Sequence, residues 1–206
     1  MILDRSPLKL SIHDIDTLCQ HYLAVLYHGV HMKNATNHVW ETYGEILYPS
    51  IDRLLSEIVL TKEDVFVDYG SGLGKIVLQV FIKSIVKAAY GIEISSELHQ
   101  YATKAATQLH HDLPDFFENE RKLVFLQGSF LEVSILAPTV ALVNSACFTQ
   151  NLLAALGKVI EATPSIHTVL SLRPIHTLQR LTFSKSIRIE CSWDTALCYV
   201  YRLPND

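Results

Sequence analysis

The sequence predicts an α/β protein: an open sheet with helices on both faces. Two observations carry this. Asp64-Val65-Phe66-Val67-Asp68 is an apolar, β-branched run bounded by acids; Gly70, Gly72 and Gly74 follow at alternate positions, and an apolar helical pattern opens at Lys75. Strand, tight turn and helix in that order is the layout by which such sheets receive a nucleotide at the carboxyl end of the first strand. Beyond it, short apolar runs keep alternating with stripes at helical spacing.

Composition narrows the class. The 206 residues are 49% hydrophobic and 18% charged, which predicts one domain with a sizeable core and excludes a disordered chain. Net charge is −4 with Lys and Arg scattered, so no nucleic-acid footprint is expected. Met1-Ile2-Leu3-Asp4-Arg5 lacks the pattern of a secretory signal, and no apolar run is long enough to span a bilayer. Cys19, Cys147, Cys191 and Cys198 form no close pair, which predicts a reduced, intracellular setting. His28 and His31 stand one helical turn apart with His38 beyond, but no ligand spacing accompanies them, so surface or helix-end roles are expected and no metal.

Taken in order, Ile12, Ile15, Leu18, Cys19, Tyr22, Leu23, Leu26 and Tyr27 predict a first amphipathic helix from about Ser11 to Val30. His31 to Val39 reads as a loop. Pro49 and Ser50 open a second helix with Ile51, Leu54, Leu55 and Ile58 on one stripe, just after the loop Tyr43-Gly44-Glu45. Beyond the glycine turn, Ala88 to Glu93 is a second strand ending in an acid, and Ser95 or Ser96 caps the following helix. That helix ends near His110 and His111, because Pro114 cannot continue it. Asp112 to Glu120, with its acids and two phenylalanines, reads as a solvated connection. Leu123 to Leu126 and Val140 to Asn144 are the third and fourth strands. Thr149 caps a helix carrying Leu152, Leu153, Leu156, Val159 and Ile160, which Thr163-Pro164 breaks. Thr168 to Leu172 is the fifth strand, and two more follow, at about Ser186 to Cys191 and Ala196 to Tyr201.

The turn itself excludes two nucleotide sites. The dinucleotide fingerprint needs a glycine where Lys75 stands, and no Gly-Lys-Ser/Thr closes a phosphate loop. What remains, Asp68-x-Gly70-x-Gly72-x-Gly74 with Glu93 ending the next strand, resembles the Rossmann-like class of S-adenosylmethionine (SAM)-dependent methyltransferases. The resemblance implies SAM as cofactor and a seven-stranded, mostly parallel sheet with an antiparallel last strand. It also implies an N-terminal helical segment, placed at residues 1–42, before a methyltransferase domain at 43–206. A carboxylate at Glu93 can accept both ribose hydroxyls, and Asp68 or Lys75 can pair with the charged ends of the methionine moiety.

A narrower likeness follows. Tyr43-Gly44-Glu45, then Phe66-Val67-Asp68-Tyr69-Gly70-Ser71-Gly72-Leu73-Gly74-Lys75-Ile76-Val77-Leu78-Gln79-Val80, then Tyr90-Gly91-Ile92-Glu93, resembles the disruptor-of-telomeric-silencing family of histone lysine methyltransferases. Gly128-Ser129-Phe130 is similar to that family's Gly-Asp-Phe, Asn144-Ser145-Ala146-Cys147-Phe148 to its Asn-Asn-Phe-Ala-Phe, and Arg173-Pro174-Ile175 to its Lys-Pro-Phe. Ser192-Trp193 and Cys198-Tyr199 resemble its Ser-Trp and Ser-Tyr-Tyr. The resemblance implies cofactor roles for Tyr43, Glu45, Asp68, Gly70, Gly72, Lys75, Glu93, Ser129 and Phe130, and substrate-side catalytic roles for Asn144, Phe148 and Tyr199. Trp193 is either a further channel wall or a core aromatic.

Three departures mark this chain: Ser129 stands for the family's aspartate, Ala146 for its first channel phenylalanine and Lys75 for its glutamine. The implied reaction is methyl transfer from SAM to a lysine amine on a protein substrate. No basic segment of the sort that nucleosomal members use on DNA is present. Two alternatives stay open: a small-molecule methyltransferase, and a SAM-binding regulatory module without catalysis.

Overall fold

The computed structural model describes residues 11–28 and 44–204. Tyr43, the predicted loop from His31 to Val39 and the tail of the first predicted helix fall outside them.

The first helix, α1 (Ile12–Leu26), is opened by a reciprocal cap in which Ser11 and Asp14 bond each other's backbone. It ends earlier than Val30 because Tyr27 already leaves helical backbone. Then come α2 (Tyr48–Glu57), β1 (Val65–Tyr69), α3 (Lys75–Lys83), β2 (Ala88–Glu93), α4 (Ser96–Asp112), β3 (Lys122–Gln127), β4 (Val140–Val143), α5 (Gln150–Glu161), β5 (Thr168–Ser171), β6 (Thr182–Glu190) and β7 (Thr195–Arg202). Ser95 caps α4 and Thr149 caps α5, each accepting a backbone N–H three residues on.

The sheet runs β3-β2-β1-β4-β5-β7-β6. Pairing is parallel from β3 through β5, and β7 is antiparallel to both of its neighbours, β5 and β6. The expected seven-stranded, mostly parallel sheet with an antiparallel last strand is therefore what forms. Its central strands are buried on both sides, so β4 reads as a continuous apolar run, and β1 and β5 bury Asp68, Thr168 and Ser171 together with their apolar residues.

Side-chain direction alternates along β1 and divides the core. Phe66 packs with α1, α2, α3 and the end of α4 on one face; Val67 and Tyr69 pack with α5 on the other. The second face has fewer helices because β3 and β4 are joined by a loop, whose Phe130, Val133 and Ile135 lie against it instead.

Polar bonds fix the helical layer. Lys83 at the end of α3 bridges Asp16 of α1 and Asp52 of α2, and the Lys83 ammonium holds the Asp16 carboxyl below its ordinary range. Arg121 gives its guanidinium to the carbonyls of Val86, Phe116, Phe81 and Ser84 while lying 4.2 Å over the Phe81 ring. The Asp112–Glu120 connection is less solvated than expected: Pro114–Phe117 forms a 3-10 turn that buries Phe116. Among the described residues no helix is long and apolar enough to cross a membrane.

Candidate cofactor and acceptor site

The strand order reverses between β1 and β4, and in such sheets the crevice beyond that reversal is where ligands sit. Three loops converge on it.

The first is the glycine turn. Gly70, Gly72 and Gly74 all hold positive φ, and α3 starts directly from left-handed Gly74. A Cβ on Gly74 would stand 2.5 Å from the Phe125 ring and 2.9 Å from the Ala102 Cβ, so a larger residue in this positive-φ turn would have to displace them. Glu93 braces the turn from β2: its Oε2 accepts from Gly72 N and its Oε1 from Ser95 N, each at 2.8 Å. Each carboxylate oxygen keeps a second lone pair for a ligand hydroxyl. Asp68, at the end of β1, is 1% exposed and its Oδ1 has no hydrogen-bond partner. Burial, and then the Glu93 carboxylate beside it, push the Asp68 carboxyl up to about 8.

The second is the strap at residues 44–47. It pairs with the β6–β7 hairpin: Ser192 N donates to Glu45 O at 2.8 Å, Glu45 N to Ser192 Oγ at 3.1 Å, and Leu47 N to Glu190 O at 3.0 Å. From this strap the Glu45 carboxylate reaches Lys75 Nζ at 2.5 Å, joining it to the first residue of α3. The Lys75 ammonium also lies 5.1 Å over the Tyr27 ring, whose hydroxyl donates to Leu73 O at 2.6 Å. Burial raises the Tyr27 hydroxyl, keeping it a donor. So the end of α1 and the strap both fasten onto the glycine turn. Trp193, in the hairpin, is 46% exposed and therefore no core aromatic; its ring covers Gly44, where a Cβ would stand 2.5 Å from it.

The third is the loop after β4. Asn144 Nδ2 donates to Gly44 O at 2.7 Å, while its Oδ1 is buried without a partner. The Phe148 ring stacks on Phe130 with centroids 5.5 Å apart, and its tip lies against Gly70. Phe130 in turn meets Tyr69 edge-on at 6.0 Å. Ser129 Oγ accepts from Leu131 N at 3.2 Å, capping the turn after β3, and still has its own hydrogen to give.

The structure thus gathers Glu45, Asp68, Gly70, Gly72, Lys75, Glu93, Phe130, Asn144 and Phe148 at one edge, with Ser129 at its rim. Tyr199 is set apart. It lies two strands from Asn144, opposite Ser171, and lines a shallow cleft of roughly 540 Å3 with Pro174, Ile175, Phe183 and Tyr201. Two contributors escape sequence reading. Tyr27 looks like one more apolar stripe residue, and its hydroxyl target is a backbone carbonyl. Ser171 ends an ordinary buried strand, yet its hydroxyl joins the loop after β4.

The donor set fits SAM. The unpartnered Asp68 Oδ1 suits a cationic group, Glu93 suits a ribose diol, and the Phe130 ring suits a flat base. Among the described residues no cluster of His, Cys, Asp and Glu could hold a metal.

Comparison with known proteins agrees on the scaffold. M. capricolum TrmK, solved with S-adenosyl-homocysteine, aligns at a TM-score of 0.55 over 77% of this chain and 69% of its own, at 10% identity. Magnesium protoporphyrin IX methyltransferase from Synechocystis PCC 6803, solved with SAM, aligns at 0.56 over 93% and 98%, also at 10% identity. These likenesses are of the fold, which is the Rossmann-like methyltransferase fold. In sequence, the chain is 30% identical over 112 residues to the H3 lysine-79 specific histone-lysine N-methyltransferase of Drosophila melanogaster, covering 52% of this chain and 6% of that protein. It is 33% identical over 101 residues to the Caenorhabditis elegans enzyme of the same description, covering 49% and 10%. The chain therefore spans only a small part of the length of these relatives. The family described as histone methylation protein DOT1 matches residues 22–192, most of the chain. With the glycine turn, Glu93 and the Asn144–Phe148 loop assembled at one sheet edge, this chain belongs to the DOT1 family of histone methylation proteins.

Proposed function

We propose that the chain is a SAM-dependent protein-lysine N-methyltransferase. The observation that carries this reading is the meeting of a cofactor cradle and an acceptor loop at the β1/β4 reversal. Asp68 and Glu93 lie on one side; Asn144, bonded to Gly44, and Phe148, whose ring tip lies against Gly70, close the other.

In this reading Glu93 takes the ribose hydroxyls, and Asp68, Glu45 and Lys75 take the charged methionine end. Ser129 and Phe130 take the adenine; a cofactor role for Tyr43 rests on the family resemblance of Tyr43-Gly44-Glu45 alone. Bound there, SAM supplies an electrophilic methyl on a sulfonium. The protein's share is placement: holding donor and acceptor in line contributes up to roughly 7–11 kcal/mol towards the barrier. The acceptor amine must arrive neutral although its ordinary pKa is about 10.4. Phe148 and the half-exposed Trp193 offer an apolar wall that disfavours the ammonium, whereas Tyr199 lines a separate cleft two strands away. The two relatives act on lysine 79 of histone H3 by their descriptions. A histone lysine is accordingly the first acceptor to test.

The test is transfer of labelled methyl from SAM to whole-cell protein and to nucleosomes, each compared with the same material after its lysine amines are chemically blocked. Label in unblocked protein alone, lost with Glu93→Ala, is the expected result. Label in small molecules without protein label would replace this reading with the small-molecule one, and SAM binding without any transfer would leave a regulatory module.

A further inference from the structure

The loop after β4 is held from a side that faces neither the cofactor cradle nor solvent. Ser145 and Ser171 are both fully buried, and their hydroxyls lie 3.0 Å apart. The Ser171 hydroxyl gives its single hydrogen to Arg173 O at 2.8 Å, so the hydrogen between the two serines comes from Ser145. Arg173 closes the circuit: its guanidinium donates to the carbonyl of Phe148. Phe148 N completes it by donating to Ser145 O at 3.1 Å. A hydrogen-bonded ring thus runs Ser145, Ser171, Arg173, Phe148 and back, joining the ends of β4 and β5.

That ring acts on one side chain. The Phe148 aromatic face is stacked on Phe130 and its tip lies against Gly70, but neither contact fixes the backbone that carries it. The charged hydrogen bond from Arg173 does, and bonds from ionised donors are roughly twice as strong as neutral ones. The bond is local to the acceptor loop: the hydrogen bonds of Arg173 run to Ser171 and Phe148, and those of the Glu93 carboxylate run to Gly72 and Ser95.

We propose that Arg173 is a positioning residue for methyl transfer, setting the place of Phe148 through its carbonyl and so the alignment of the acceptor with the cofactor. The proposal rests on the methyltransferase reading above. A displacement of about 1 Å in such an arrangement costs roughly a hundredfold in rate, so a single anchor of this kind is worth a measurable factor.

The experiment compares the wild-type chain with Arg173→Met and Arg173→Lys by two readouts: amide hydrogen exchange across residues 140–150, and steady-state methyl transfer beside SAM affinity. In Arg173→Met, exchange at Ser145 and Phe148 rises at least tenfold while Gly70 to Gly74 stay protected. Its kcat falls by roughly ten- to a hundredfold, and its SAM Kd stays within twofold. Arg173→Lys, which keeps a charged donor, recovers most of both. Unchanged exchange in the Met variant, a parallel loss of SAM affinity, or a Lys variant as impaired as the Met variant would each overturn the assignment. If the wild-type chain transfers no methyl to protein, the methyltransferase reading fails by itself, while hydrogen exchange still decides whether Arg173 anchors Phe148.

Discussion

Asn144 Nδ2 donates to the carbonyl of Gly44 at 2.7 Å, a hydrogen bond between residues 100 positions apart that links the acceptor loop to the strap. Gly44 can serve only because it lacks a side chain, since the Trp193 ring occupies the place a Cβ would take. In Gly44→Ala either the ring or the strap must shift, and both lie on the acceptor side. Turnover is expected to fall at least tenfold with the melting temperature lowered by only a few degrees. Gly44→Ala combined with Trp193→Ala restores room for the Cβ. If the two losses simply multiply in the double variant, the contact is not what matters.

Asp68 is expected to make cofactor affinity depend on pH. Unfolded, its carboxyl titrates near the ordinary 3.8; folded, near 8. Below the lower value both states hold the proton. Between the two only the unfolded chain releases it, so the ligand-free fold loses stability as pH rises towards 8. A cationic ligand beside Asp68 draws the proton off, and its affinity gains about tenfold per pH unit below 8 as the carboxylate forms. Calorimetric titration of SAM between pH 6 and 8, in two buffers of different ionisation enthalpy, measures the released proton. Asp68→Asn is expected to bind weakly at every pH and to flatten both the affinity and the stability profiles.

Lys75 is paired with Glu45 in a partly exposed setting, where ion pairs contribute about 0–1 kcal/mol to stability. Lys75→Met should therefore leave unfolding nearly untouched. Its effect falls on the cofactor: SAM binding is expected to weaken by about tenfold, roughly 1.4 kcal/mol. Binding of 5′-methylthioadenosine, which lacks the methionine carboxylate, should be unaffected. Equal losses for both ligands would show that Lys75 acts through the turn instead.

Arg121 predicts a stability effect away from the site. Four carbonyls, from Val86, Phe116, Phe81 and Ser84, converge on its guanidinium. Arg121→Met leaves them without that donor, and urea unfolding is expected to show a loss of about 2–4 kcal/mol. Arg121→Lys should recover little of it, because an ammonium cannot span acceptors spread around a planar fork.

The scaffold was legible in the sequence where local chemistry dictates it. The run into Asp68, the alternate glycines and the opening at Lys75 have few competing readings, and Ser95 and Thr149 cap their helices as such residues do. Edges were less legible. Strand β6 begins at Thr182, ahead of the predicted Ser186, because its first residues face solvent and carry no apolar alternation. Phe116 is buried in a stretch whose acids suggested full solvation. Within the site, residue types can be read but several pairings cannot. Asn144 meets a backbone carbonyl, which leaves no trace in the amino-acid code, and Lys75 meets Glu45 across an intervening helix and strand. The ring through Ser145, Ser171 and Arg173 likewise depends on two strands lying side by side.

The strap before α2 is stitched to the hairpin between β6 and β7, so one wall of the crevice is made from opposite ends of the fold. During synthesis the glycine turn, β2 and the acceptor loop leave the ribosome well before Ser192 does. Until that hairpin arrives, the strap lacks its backbone pairing with Glu190 and Ser192, and the crevice stays open on that side. A nascent chain halted before residue 190 would thus expose a half-built cradle, and full affinity for the nucleotide would appear only with the last two strands.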